Sequence, residues 1–345
     1  MVNSKKISFP NSPFLSSGRV DPFFRFMESE EMDVVLCENS HEADYIFLYP
    51  NRLKEFYECC YQFQEKVIIF VTGEAVAPDF NLVDYAFAYD HLDYGDRYFQ
   101  VYFQNTTYEY DLADITNSDE ILKNKNKFCN FIYSNKRAHH FRDEFFQKLC
   151  ARKSVDSLGS HLRNVETKIA PPYKGDWFLE SVREKSQYKF SISFENAKYA
   201  GYTTEKILTS MLAKTIPIYW GNKHVSKLYN PKSFINCHDY DGVEQIIDKI
   251  IELDSDDNKY AAMLAQPWQT LEQKDLSKQR NKALIERINM IFNQPIKEAF
   301  RKPTGCWADI YRDNLCKPKE ENLCKPKEEN LGILKSIKSK LRKLV

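Results

Sequence analysis

The chain has 345 residues, enough for two domains and a sizeable buried interior. Its 49 basic and 49 acidic residues cancel, which removes the electrostatic case for nucleic-acid binding by the chain as a whole. With only 10 glycines, no G-x-G-x-x-G or G-x-x-x-x-G-K-[ST], and nine cysteines lacking C-x-x-C spacing, the common dinucleotide and P-loop modes, zinc and a disulfide framework are excluded, and a reducing cytoplasm suits the thiols.

The opening stretch MVNSKKISFPNSPFLSSGRV holds no apolar run of the length a secretory signal needs, and no later segment approaches the roughly 20 apolar residues of a membrane span. Strand-like runs follow at 43–50, 66–74 and 83–90. The polar, turn-rich segment 104–126 marks a boundary. Beyond it come a strand at 127–135, a helical pattern at 137–152, strands at 188–196, 215–222 and 232–240, and helical patterns at 203–214, 242–255 and 277–294. Short apolar runs separated by helices predict an α/β fold with parallel strands in two Rossmann-like halves. The expected domains are 1–120, 121–300 and a tail, 301–345.

In the tail NLCKPKEE occurs twice, at 314–321 and 322–329. An eight-residue period with Pro318 and Pro326 predicts a charged spacer rather than a coiled coil. In residues 331–345 Leu334, Ile337, Leu341 and Leu344 recur at three- and four-residue spacing, with five cations and no acid in this last stretch. That pattern predicts an amphipathic basic helix for an anionic membrane surface; packing on the protein or on a partner is the alternative.

One stretch carries more than fold. FSISFEN ends a strand in Glu195 and Asn196, a Gly/Tyr/Thr turn follows, and Tyr202, Glu205 and Lys206 open a helix before the next strand, TIPIYWGN. In a strand–turn–helix–strand unit these side chains are expected to converge on one crevice at the strand carboxyl ends. An anion there gains from the helix N-terminus and from Lys206, while Glu205 suits ribose hydroxyls. Ordinary helix-start chemistry for Thr203, Thr204 and Glu205, with Tyr202 as core, explains the same letters.

The whole string F-E-N-x(5)-Y-x-T-E-K-I, then IPIYWG and NPKSFIN, resembles the donor-binding signature of the α-1,3/1,4-fucosyltransferases, glycosyltransferase family ten, in its bacterial form. The likeness extends more weakly over roughly 20–300, through EADYIF, VTGE, DYAFAYD, KFCNFIYSN and VDSLGS. It implies two Rossmann-like domains facing a cleft (GT-B), with the nucleotide in the C-terminal one, and transfer of L-fucose from GDP-fucose with inversion. Carried over, Lys206 pairs with the diphosphate, Glu205 and Glu195 line the donor site, and Asn196 and Tyr202 touch phosphate or fucose. Arg163 is the second phosphate cation, with Arg152 or Lys153 as substitutes, and Glu74 after KVIIFVTG is the general base, Gly73 permitting a close turn.

The acceptor implied is a GlcNAc hydroxyl, O3 or O4, of an N-acetyllactosamine-type glycan, giving Lewis-type structures on surface polysaccharide. No D-x-D ends a strand, so no metal is expected to be obligatory, manganese or magnesium acting at most as stimulants. His91, His139 and His140 are given no role, and Tyr85, Phe87, Tyr89, Tyr94, Tyr98 and Phe99 divide between core and sugar stacking. The expected location is cytoplasmic, at the inner face of the membrane. Transfer of another GDP-sugar, a non-catalytic glycan- or nucleotide-binding protein, and homo-oligomerisation through the repeat are the alternatives.

Overall fold

The computed structural model describes residues 4–15, 18–102, 118–167, 169 and 177–318. The rest of the repeat and the amphipathic segment 331–345 lie outside them. The chain divides into two compact units. One comprises residues up to Val101 together with those from Arg280 onward, and the other comprises Tyr108–Gln279, apart from a few residues exchanged near 102–107.

The first unit contains β1 (Lys5–Ser8), α1 (Pro22–Ser29), β2 (Val34–Leu36), β3 (Tyr45–Leu48), α2 (Leu53–Gln62), β4 (Val67–Val71), β5 (Tyr85–Ala88) and β6 (Tyr98–Gln100). Its strands pair in parallel in the order β2-β1-β3-β4-β5-β6. YIFL, VIIFV and YAFA are buried throughout, as expected of strands covered on both faces. That burial also claims Tyr85, Phe87, Tyr89 and Tyr98 for the interior, while Tyr94 is exposed and stacks on Phe80 at 4.3 Å.

The second unit contains α3 (Ser118–Lys123), β7 (Lys127–Phe131), α4 (Phe141–Arg152), β8 (Asp156–Ser157), α5 (Trp177–Lys185), β9 (Tyr188–Phe194), α6 (Glu205–Leu212), β10 (Ile216–Trp220), β11 (Ile235–Asn236), α7 (Val243–Ser255) and α8 (Asp257–Leu264). Its sheet, also parallel, runs β11-β10-β9-β7-β8. This is the flavodoxin-like order, in which the direction of winding reverses between β7 and β9. Along β9, Phe190, Ile192 and Phe194 enter the main apolar cluster, and Ser191 and Ser193 alternate with them, fully buried. The strand expected over 232–240 shortens to Ile235–Asn236, because Cys237–Asp239 turn into a 3-10 helix capped by the Asn236 side chain.

The division differs from the expected limits near 120 and 300. Helix α9 (Leu271–Asn293) carries the chain back to the first unit, where Leu284, Ile288, Ile291 and Phe292 pack with Phe9, Phe23, Phe47 and Phe87. Two further helices follow, α10 (Ile296–Ala299) and α11 (Trp307–Cys316). Between them Asp84, fully buried, accepts from the backbone N–H of Arg301 (2.6 Å) and Lys302 (2.7 Å), from Ile68 N–H (2.7 Å) and from Lys302 Nζ (2.7 Å). The spacer expected from Asn314 also starts later, since Asn314–Cys316 close α11 and Cys316 is buried against the cluster of Phe56 and Cys60.

Candidate functional site

At the point where the second sheet reverses, the carboxyl ends of β7 and β9 are tied together. The Tyr133 hydroxyl lies 2.9 Å from the Ile192 carbonyl and 3.0 Å from that of Phe194, and accepts the Phe194 N–H at 2.6 Å. His139 N–H donates to the Asn196 carbonyl at 2.8 Å. The buried Arg142 guanidinium stacks 4.5 Å over the Tyr133 ring, donates to the Asn135 carbonyl at 2.7 Å, and stands 3.5 Å from Asn196 Oδ1. Open parallel sheets bind ligands at such a reversal, outside the strand carboxyl ends. Asn196 is half-buried at this edge.

Next to it Glu195, with 0% exposure, accepts from Thr204 N–H (2.8 Å), Thr204 Oγ1–H (2.7 Å) and Lys206 Nζ (3.2 Å). The Lys206 ammonium also donates to Thr204 Oγ1 at 2.8 Å and stands 3.5 Å from Glu205 Oε1. Thr204 is the N-cap of α6, yet its hydroxyl serves Glu195 and not the helix N–H groups. The first turn is thereby locked onto the end of β9. Gly221 packs against Glu195 from β10: a Cβ there would fall 2.5 Å from Glu195 Cγ, and φ is +148°.

Charge follows geometry. Burial pushes the Glu195 carboxyl up, with Lys206 opposing. Burial also acts upward on Glu205, but Lys206, the Glu205 N–H and Thr204 outweigh it and hold that carboxyl below its ordinary value. Burial disfavours the Lys206 ammonium, and Glu195 and Glu205 more than compensate, leaving it raised and firmly charged.

The sequence-derived residues therefore take distinct places. Glu205 and Lys206 keep 20% and 16% of their side chains exposed at the helix start, where an anion would meet both the N–H groups and the ammonium. Glu195, expected to bind the donor, is enclosed and acts through Thr204 and Lys206. Tyr202 is likewise enclosed, at 1% exposure, so it shapes the turn and offers no surface to a ligand in this conformation. Arg163 is exposed after β8, its Nε bonded to the Gly159 carbonyl at 3.0 Å. Its substitutes lie before β8, at the end of α4, where Arg152 pairs with Asp248 (3.1 Å) and Lys153 with Asp254.

Glu74, in the first unit, follows β4 in a turn that Thr72 braces, its hydroxyl donating to the Glu74 carbonyl and accepting the Glu74 N–H, both at 2.9 Å. Gly73 has open space around its Cα and no positive φ, so close approach does not require a glycine there.

Reading the sequence missed Arg142, Tyr133 and His238, and placed Thr204 at the helix start without its bond to Glu195. The His238 ring exchanges contacts with Gly221 (3.2 and 3.3 Å) and lies 6.3 Å from Trp220, on which His139 packs at 4.8 Å. Burial lowers both imidazoles, and Lys198 adds to the effect. A charge inside an apolar helical pattern, as in RAHHFRDEFF, was the available signal for Arg142.

A family model for the C-terminal part of glycosyltransferase family 10 (fucosyltransferase) matches residues 122–291, and a model for the N-terminal domain of the α-(1,3)-fucosyltransferase FucT matches 34–108. The chain is 32% identical over 279 residues to alpha-(1,3)-fucosyltransferase FucT of Helicobacter pylori, which covers 72% of this chain and 57% of that protein. It thus spans little more than half of that relative. To GDP-fucose protein O-fucosyltransferase 3 of Homo sapiens it is 32% identical over 126 residues, 35% of this chain and 26% of that one. A crystal structure of an α1,3-fucosyltransferase with GDP-fucose aligns with TM-score 0.63 and 26% identity, over 84% of this chain and 90% of that one. Another, described without ligand, reaches TM-score 0.68 and 27%, over 87% and 93%.

Proposed function

We propose, from the premise that the chain belongs to glycosyltransferase family 10, the fucosyltransferases, that it transfers L-fucose from GDP-fucose to a sugar hydroxyl. The observation that carries the reading is the first turn of α6. There Glu205 and Lys206, each with a fraction of its side chain exposed, stand at a helix N-terminus next to the end of β9, at the sheet reversal. Breaking the anomeric C–O bond develops positive charge on fucose and negative charge on the departing GDP. A cation already fixed by two carboxylates and Thr204 acts where that negative charge appears and needs no reorganisation. Arg163, whose terminal nitrogens make no hydrogen bond or ion pair among the described residues, is the second phosphate cation.

The acceptor is a GlcNAc of an N-acetyllactosamine-type glycan, whose O3 hydroxyl, or alternatively O4, attacks the anomeric carbon of fucose as GDP leaves, and the product is a Lewis-type epitope with inverted anomeric configuration. Glu74 takes the hydroxyl proton as base. No metal is obligatory, and the basic segment 331–345 holds the enzyme at the inner face of a bacterial membrane. Relatives named α-(1,3)-fucosyltransferase and GDP-fucose protein O-fucosyltransferase have fucosyl transfer in common, and the choice of acceptor rests on the resemblance to the α-1,3/1,4 enzymes.

The test is GDP release from GDP-fucose, in EDTA, with and without N-acetyllactosamine, for the wild type and Glu74→Gln. Acceptor-dependent release, with kcat reduced about 100-fold or more in the variant, supports the reading. Turnover with GDP-mannose alone, or tight GDP binding without transfer to any glycan, rejects it.

A further inference from the structure

Beneath the first turn of α6 lies a lysine that the donor reading does not use. Lys185, the last residue of α5, is 5% exposed, and its Nζ donates to Thr209 Oγ1 (2.8 Å), Ser210 Oγ (3.0 Å) and the Lys206 carbonyl (3.4 Å). The same oxygens are bonded onward. Ser210 Oγ reaches the Lys206 carbonyl (3.0 Å) and Ser193 Oγ of β9 (2.8 Å), and Thr209 Oγ1 lies 2.9 Å from the Glu205 carbonyl. Lys185, Thr209, Ser210 and Ser193 are buried, and one arm of the network ends on the carbonyls of the two residues that face the donor while the other ties α6 to β9.

Such an ammonium is costly to bury. Burial brings Lys185 down to about 7, with Glu205 opposing and Lys206 reinforcing the fall. A methionine would fill the same space, so packing does not explain a lysine. Its hydrogen bonds into the first turn of α6 do, and in its protonated form it adds positive charge beneath Glu195, Glu205 and Lys206, the groups that an anionic diphosphate would meet.

We propose that Lys185 is a positioning residue for the donor site. It holds the Lys206 carbonyl directly and the Glu205 carbonyl through Thr209, and adds positive charge beneath the turn, so that Lys206 can receive a nucleoside diphosphate. The inference rests on the donor reading above. A built-in comparison exists at the other end of the helix. Lys125, also buried, donates to the carbonyls of Ser186 (2.8 Å) and Ala213 (3.0 Å) and to Thr215 Oγ1 (2.9 Å), and touches neither Glu205 nor Lys206.

The experiment measures GDP affinity by calorimetry, donor KM, kcat and Tm for the full chain and for Lys185→Met, Lys185→Gln, Lys185→Arg and Lys125→Met. Lys185→Met and Lys185→Gln are expected to weaken GDP and raise donor KM about tenfold, the scale of one screened charge near the ligand, with kcat within about twofold. Lys185→Arg is expected to stay within about threefold of wild type, and Lys125→Met to lower Tm without changing GDP affinity. Should Lys185→Met not fold, the Gln variant carries the comparison. Wild-type affinity in a folded Lys185→Gln, or an equal loss in Lys125→Met, overturns the inference. A wild type that does not bind GDP at all overturns the donor reading itself.

Discussion

Replacing Lys206 by methionine separates two duties that one ammonium performs. It neutralises Glu195, enclosed at 0% exposure with Thr204 as its other partner, and it presents charge to the donor. Stranding a buried carboxylate costs about 3–5 kcal/mol, and the two Thr204 hydrogen bonds and the 16% exposure of Lys206 favour the lower end, about 3 kcal/mol. Losing a charge-assisted contact to the diphosphate costs a further ~1.5–3 kcal/mol of binding, about 10- to 150-fold in Kd. Urea unfolding at constant m reads the first number and calorimetry with GDP reads the second. The double variant Glu195→Gln/Lys206→Met removes both charges and is expected to regain most of the stability and none of the GDP affinity. The pH dependence has a definite sign. Without Lys206 the folded-state pKa of Glu195 rises further above its unfolded value, so the unfolded chain holds fewer protons and stability falls as pH rises through that window. The deficit of Lys206→Met therefore narrows as pH is lowered through the raised titration of Glu195. A double variant that binds GDP as tightly as wild type refutes a binding role for Lys206 and leaves it a counter-ion only.

Three further outcomes follow from the geometry. Lys302→Met and Asp84→Asn, each breaking a pair with both side chains at 0% exposure, are expected to cost about 3 kcal/mol or more singly; a double variant costing the full sum would show that the pair is not coupled. Burial lowers Lys125 to about 7 in the folded state, so between that value and 10.5 the unfolded chain holds the extra proton and stability rises with pH. From pH 7 to 9 wild type should gain about 2 kcal/mol relative to Lys125→Met by urea unfolding, and parallel profiles contradict the assignment. Gly159→Ala places a Cβ 2.0 Å from the Tyr133 carbonyl oxygen and should lower Tm by about 5 °C or more, whereas Gly73→Ala, with nothing within 4 Å, should not; equal melting temperatures refute the crowding.

The parallel sheets were legible because their strands are buried on both faces and so read as unbroken apolar runs, KVIIFV and VDYAFA among them. KKIS, at one side of the first sheet, is too polar to register and VVL beside it is too short, and β1 and β2 went unseen. The start of α6 was legible for the same local reason: Thr204, Glu205 and Lys206 fall within one turn, and adjacency in sequence is adjacency in space. Which of those side chains faces outward was not. Tyr202 and Glu195 turned inward because Gly221 and Tyr219 of β10 close over them, and Arg142 came to stand at Asn196, 54 residues away. The return of Arg301 and Lys302 to Asp84, across 217 and 218 positions, belongs to the same class. Sequence by itself determined periodicity, helix starts and the residue types able to hold a phosphate, all of which are properties of a few neighbouring positions. Only the tertiary structure decided which charges are buried and what neutralises them, because desolvation and ion pairing depend on what the rest of the chain brings within a few ångströms.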